Sequence, residues 1–246
     1  MVNYLIEGAG MGAISLTATS GKVDLNQNII SAGGLVTLTA GTDIDMDVAA
    51  KVATSTTRTG EDGSVVMTAG GDILLSLIQT DGQVSLTSTG QIKSQLTTGL
   101  NVDAANSRLY LTAGAGVGTA TTVNGVTTVK AIQTQVASMS AQVSTTGGVY
   151  ITEADNLIIS ALDTSVVGIS TAGADGQVVV QLLTGNLTVN NAINAAGLNG
   201  NVLLKTVLGS ISVEAGVTSA KQSVSVDAAT SLALTGGGKL IASTAG

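Results

Sequence analysis

Four aspartates carry the densest potential chemistry in the chain. Asp43, Asp45 and Asp47 alternate along TDIDMD, and Asp72 occupies the matching place in GGDILL. Alternating carboxylates are the raw material of a calcium site, but calcium needs about six to eight converging oxygens. The GGxGxD pattern of calcium-binding nonapeptide repeats is absent, so these read as solvated turn carboxylates. A second set is hydroxylic: Thr17, Thr39, Thr68, Thr87 and Thr112 follow equivalent apolar residues, and Thr152 rejoins them after Ile132 interrupts. A flat hydroxyl array could order water or bind glycans or ice. The simpler reading is that Thr suits a β surface and bonds along a stack, because the flanking rank, with Ser15, Val66 and Tyr110, is mixed. A third set lies in two stretches longer than their counterparts. AAKVATSTTRTGED holds Arg58, Glu61 and Asp62, and SALDTSVVGISTAGADG holds Asp163 and Asp175. Insertions of this kind become surface loops, where binding evolves, although longer loops also drift at little energetic cost.

The remaining inventory is defined by what is missing. Among 246 residues there is no Cys, His, Pro, Trp or Phe, and the only aromatics are Tyr4, Tyr110 and Tyr150. Thiol nucleophiles, imidazole bases and the usual zinc, haem and iron–sulfur sites are excluded, and no cofactor is expected. Polysaccharide lyases and hydrolases need paired carboxylates at a cleft, or calcium with basic residues. Only Arg58 and Arg108 are available as arginines, so the expectation is a non-enzyme. A net charge of -7 with almost no aromatics argues against nucleic acid. The uncharged stretches are too rich in Thr, Gly and Ala for a membrane span, and the first ten residues do not read as a secretory signal.

These residues sit on a repeat. Short alternating aliphatic pairs, usually opened by Gly, recur from GAISLTA through GLVTLTAG, GSVVMTAG and GQVSLTST to RLYLTAG. The series resumes with GVYITEA, GQVVVQL and GNVLLKT, and in each unit a second pair follows the first by 8 or 9 residues. The 40-residue gap between Leu109 and Val149 equals two steps of 20, which predicts a degenerate unit beginning at Val129, with Ala137 and Met139 as its second pair. Val129, Ile132, Val136, Met139 and Val143 also show a rival helical spacing, which the abundant Thr and Val disfavour. A third, weaker patch appears at Ile29 and Ile30, at Leu100 and Val102, and at Ile193.

Alternation with β-branched residues is a strand signal, and three strands in a period of about 23 residues describe one turn of a β-solenoid. About ten turns, each rising about 4.8 Å, make a rod roughly 50 Å long. Val36, Leu38, Ile44 and Met46 should point inward, with Thr37, Thr39, Asp43 and Asp45 outward or at corners. A string of immunoglobulin-like sandwiches would need a longer repeat, core aromatics and turn prolines.

The phrases GGLVTLTAGTDIDMD and GSVVMTAGGDILL resemble repeats of the filamentous haemagglutinin type, found in very large secreted bacterial adhesins. The resemblance covers nearly the whole chain but carries no catalytic residue. It implies an all-β, right-handed parallel β-helix, here one segment over residues 1–246 of a longer array. It also implies an extracellular or cell-surface location, a role as shaft or adhesive stalk, and flanking repeats and host or environmental glycans or proteins as partners. The chain departs from the full-length pattern in lacking a secretion domain and polar caps, and uncapped ends predict end-to-end association.

Overall fold

The computed structural model describes residues 1–55, 63–124, 126–161, 166–173 and 175–243. Apolar residues at every second position force the chain into strands, because only that period sends Val36, Leu38 and Ala40 to one side and Thr37 and Thr39 to the other. One such strand cannot bury its apolar side alone. Three of them close a coil, and each coil lies on the one before in parallel register, giving a parallel β-helix with no helix among the described residues.

In the N-terminal half each coil has a long strand and two short ones. The long strands Ile14–Ala18, Val36–Ala40, Val65–Ala69 and Val84–Ser88 stack residue on residue, followed by 109–113. Inside this stack Val36, Val65, Val84 and Leu109 form one column and Leu38, Met67, Leu86 and Leu111 the next, each at most 1% exposed. The first short stack runs from Val23–Leu25 through Ile44–Met46 and Ile73–Leu75 to Gln91–Ser94 and Gly116–Val117. The second runs from Ile6–Gly8 through Ile29–Ser31, Lys51–Thr54 and Leu77–Gln79 to 102–104. The expected inward and outward assignments of Val36 through Met46 hold.

The C-terminal half repeats the pattern out of phase. Its long strands, Val149–Glu153, Val178–Leu182, Val202–Thr206 and Val224–Ala228, continue the first short stack and not the long one, because Val149 lies on Val117. The long stack of the N-terminal half ends at 139–143. Two short strands, Leu157–Ile159 and Ile169–Thr171, stand over it. The sequence pattern thus rotates by one strand around a coil that itself continues without a break.

The rotation overturns the unit expected at Val129. Residues Thr119–Val123 and Val126–Lys130 form an antiparallel hairpin outside the coil, and Asn124 at its end takes a positive φ of 51°, a conformation that asparagine tolerates in such turns. The true linking coil is the strand Ile132–Val143. Its inward residues Ile132, Thr134 and Val136, then Met139, Ala141 and Val143, are all buried, and the register slips once between the two runs. That slip joins two alternating runs by an odd step and creates the helical spacing in the sequence. The hairpin is spliced into the middle of a strand: Val149 lies on Val117 and Ile151 on Ile132, on either side of it. The loop after Ile159 leaves its strand in the same manner, between residues lying on Met139 and Ala141.

The corner into the next strand is closed by small hydroxyls. Ser31 Oγ accepts from the Gly34 N–H at 2.9 Å, Thr171 Oγ1 donates to the Gly176 carbonyl at 2.6 Å, and Thr206 Oγ1 donates to the Gly209 carbonyl at 2.9 Å. These groups satisfy backbone atoms that leave the ladder at each bend.

Two truncations separate the linking coil from the hairpin. Met139→Ala, at a site with no exposure, should cost about 2–5 kcal/mol in urea denaturation. Val129→Ala, 43% exposed, should stay within about 0.5 kcal/mol. The reverse order would restore the unit at Val129.

Candidate functional site

The residues singled out in the sequence fall into three places. Thr17, Thr39, Thr68, Thr87 and Thr112 form an in-register outward ladder over five successive long strands. The next residue in that ladder is Gln142. Thr152 lies instead between Gln133 and Gln181 on another face, because the rotation carries its strand away, so its place in the ladder is corrected. Arg58, Glu61, Asp62 and Asp163 lie outside the described residues. Both insertions are also shorter than their sequence bounds suggest, since Lys51–Thr54 and Ile169–Thr171 are ordinary strands of the coil.

The aspartates at the corners act on the neighbouring coil. Asp43 Oδ1 accepts the Asp72 N–H at 2.7 Å, and Asp72 Oδ1 accepts the Gln91 N–H at the same distance. Asn156 and Asn186 play the same part in the C-terminal half, each accepting at 2.8 Å from the Asn186 and Ser210 N–H groups. Partial burial works against the Asp72 charge, yet the Gln91 N–H and the Lys93 ammonium at 2.5 Å hold its carboxyl below the usual range. Asp45 pairs with Lys22 at 3.0 Å, and Asp47 accepts the Ala49 N–H at 3.0 Å. No group of three or more acidic residues gathers as a metal site among the described residues.

The place where unlike polar groups converge is the root of the hairpin. Gly118 begins the excursion at φ +70°, and a Cβ there would meet the Tyr150 carbonyl at 2.9 Å and the Lys130 carbonyl at 3.0 Å. Only glycine lets the strand leave the coil so close to its neighbours. Tyr150 lies over the root with only 5% of its surface exposed. Its ring passes above Gly148, where a Cβ would come within 3.0 Å of Cζ and Oη. Burial, and then the Asp175 carboxylate, push the hydroxyl above its ordinary value. On this side of the hairpin a groove of about 250 Å³ opens between Gln91, Thr119, Thr146, Tyr150 and Asp175. On the other side a groove of about 550 Å³ is more apolar, with Val129, Val179, Leu183 and Leu203 along it.

Beneath the same root lies the carboxylate that the sequence reading missed. In GVYITEA, Val149 and Ile151 point inward, and two residues on the same alternation puts Glu153 inward as well. It is fully buried, stacked on Thr134 below and Leu182 above. Thr134 Oγ1 donates to Oε2 at 2.7 Å, while the N–H groups of Ala154, Val136 and Asp155 donate to Oε1 at 3.1, 3.2 and 3.4 Å. Burial raises its pKa to about 7, against the pull of the Thr134, Val136 and Asp155 donors and with a further push from the Asp155 carboxylate.

A folded-state value above the 4.5 of a free glutamate means that the native chain holds this proton more tightly than the unfolded chain. The stability it contributes is therefore complete below about pH 4.5 and is lost as the pH rises through about 7. Urea midpoints should fall between about pH 5 and pH 8, by up to about 3 kcal/mol in stability. Glu153→Gln should flatten that slope, and an unchanged slope in the variant would assign it to another group.

No protein-family model matches this chain, and no match was found among curated proteins or solved structures.

Proposed function

We propose that the chain is a rigid, non-catalytic shaft segment of a large exported bacterial surface protein of the filamentous haemagglutinin type. The observation that carries this reading is the uninterrupted coil. Among the described residues, 27 of the strands join one sheet in which each coil lies on the one before, with about 1.5 to 3 kcal/mol from each buried aliphatic side chain. Such a stack resists bending because shortening or shearing it would break ladder bonds and expose core columns together.

A second reading, a module that binds a glycan or an extracellular surface, is favoured by the in-register Thr ladder on an exposed flat face. The two readings place the chain outside the cell and differ in whether the shaft itself makes contact.

Immunogold labelling of the native cells with antibody to the purified chain should mark the cell surface, and label confined to the cytoplasm would contradict both readings. Release of reducing ends or unsaturated products from any polysaccharide by the purified chain would contradict the non-catalytic assignment. Glycan-array binding lost on Thr39→Val with Thr68→Val would favour the second reading over the first.

A further inference from the structure

We propose that the groove at the hairpin root is a binding site for one neutral sugar ring, recognised through its hydroxyls. The inference deepens the binding reading and uses residues apart from the Thr ladder.

Its floor is backbone. Gly118, Gly147 and Gly148 line it, and a Cβ at Gly147 would run into the Ala115 carbonyl at 2.2 Å, one at Gly148 into the Gln177 carbonyl at 2.4 Å. The three glycines therefore let neighbouring backbone approach closely, and the floor of the groove is bare main chain. At about 250 Å³ the space is smaller than pockets for drug-sized ligands, about 300–1,000 Å³, and suits a single ring.

The walls supply hydrogen-bonding groups with capacity to spare. Tyr150 is almost entirely buried, yet its hydroxyl has one contact among the described residues, to Gln177 Oε1 at 3.4 Å. That is far longer than the 2.7–2.8 Å typical of O–H···O bonds, so the chain engages this hydroxyl only weakly and leaves it able to bond a ligand in the groove that Tyr150 lines. Asp175 Oδ1 accepts from Asn199 Nδ2 at 2.8 Å, which fixes the carboxylate and leaves its other oxygen to accept from a ligand. The Gln91 amide is held in place by Nε2 donating to the Ala115 carbonyl at 3.3 Å. Its Oε1 is a second acceptor.

The charge of the lining selects the ligand. No Lys or Arg lines the groove, and the one charged group is a carboxylate, so phosphates, sulfates and acidic sugars are repelled. One carboxylate is far short of a calcium shell. A polyol answers both constraints, because one ring hydroxyl donates to the free carboxylate oxygen while a neighbouring one accepts from the tyrosine hydroxyl.

The test is saturation-transfer NMR on the purified chain with glucose, galactose, mannose and their methyl glycosides, alongside glucuronate and N-acetylneuraminate. At least one neutral sugar should bind with a dissociation constant of about millimolar, as expected of a few hydrogen bonds to one ring, and the acidic sugars should not. Tyr150→Phe keeps the ring that covers the root and removes only the hydroxyl; it and Asp175→Asn should each weaken binding about tenfold or more. An unchanged urea midpoint in Tyr150→Phe confirms that the loss is local. Absence of binding by every neutral sugar, preference for an acidic one, or binding indifferent to both substitutions would overturn the site. Binding lost on Thr39→Val with Thr68→Val but not on Tyr150→Phe would also overturn it, while leaving the Thr-face reading intact.

Discussion

Everything in this molecule depends on one constraint: each strand must be accepted, hydrogen bond for hydrogen bond and side chain for side chain, by the strands of the coils above and below. Parallel pairing in register makes identical positions neighbours, so the interior is a set of vertical columns and not a mixed core. Aliphatic residues of similar girth satisfy such columns with little strain, and rings and prolines do not. The absence of Phe, Trp and Pro follows from this geometry. So does the outward ladder of Thr17 to Thr112, since a position that repeats on the inside repeats on the outside as well.

The same constraint explains why the unusual features gather at one level. When the long strand passes from one stack to the next, the coil must change its corners between 116 and 153. The strand Ile132–Val143 pairs with two different sets of neighbours below and above, and the N–H of Val136 turns away from a regular ladder. Glu153 collects that N–H together with those of Ala154 and Asp155. A buried carboxylate surrounded by donors is the price of the rotation, and its raised proton affinity records the desolvation. The hairpin leaves the coil in the same layer, and Tyr150 and the glycines seal its root. The groove lined by Thr119, Tyr150 and Asp175 opens at this level.

Much of this was legible in the sequence because columns write themselves as repeats. The pairs at Val36 and Ile44, Val65 and Ile73, and Val178 and Leu187 place both strands correctly, and the threonines of the first five long strands fall into the predicted ladder. The failure lies between Leu109 and Val149. A gap of 40 residues divides evenly into two units, but the structure fills it with one coil and a hairpin, and arithmetic on spacing cannot tell these apart. Local chemistry could: VNGV between two Thr-Val runs is a two-residue hairpin signature. Glu153 was equally readable as inward from Val149 and Ile151. Its donors were not, because Thr134 and Val136 reach it only through the change of phase. The grooves and their lining depend on which strands become neighbours, which a repeat of constant phase would have assigned differently.

The rotation is the central claim, and it is tested most directly by who neighbours Thr112. The chain has no cysteine, so nitroxides can be placed in pairs on an otherwise unlabelled background. Thr112 and Gln142 are direct partners in adjacent coils, about 4.8 Å apart along the stack, and that pair should show strong spin-exchange broadening in continuous-wave EPR. Thr112 paired with Thr152 should show none. Broadening in the Thr112 and Thr152 pair, with none between Thr112 and Gln142, would mean that the long strands keep one face from end to end and would contradict the account.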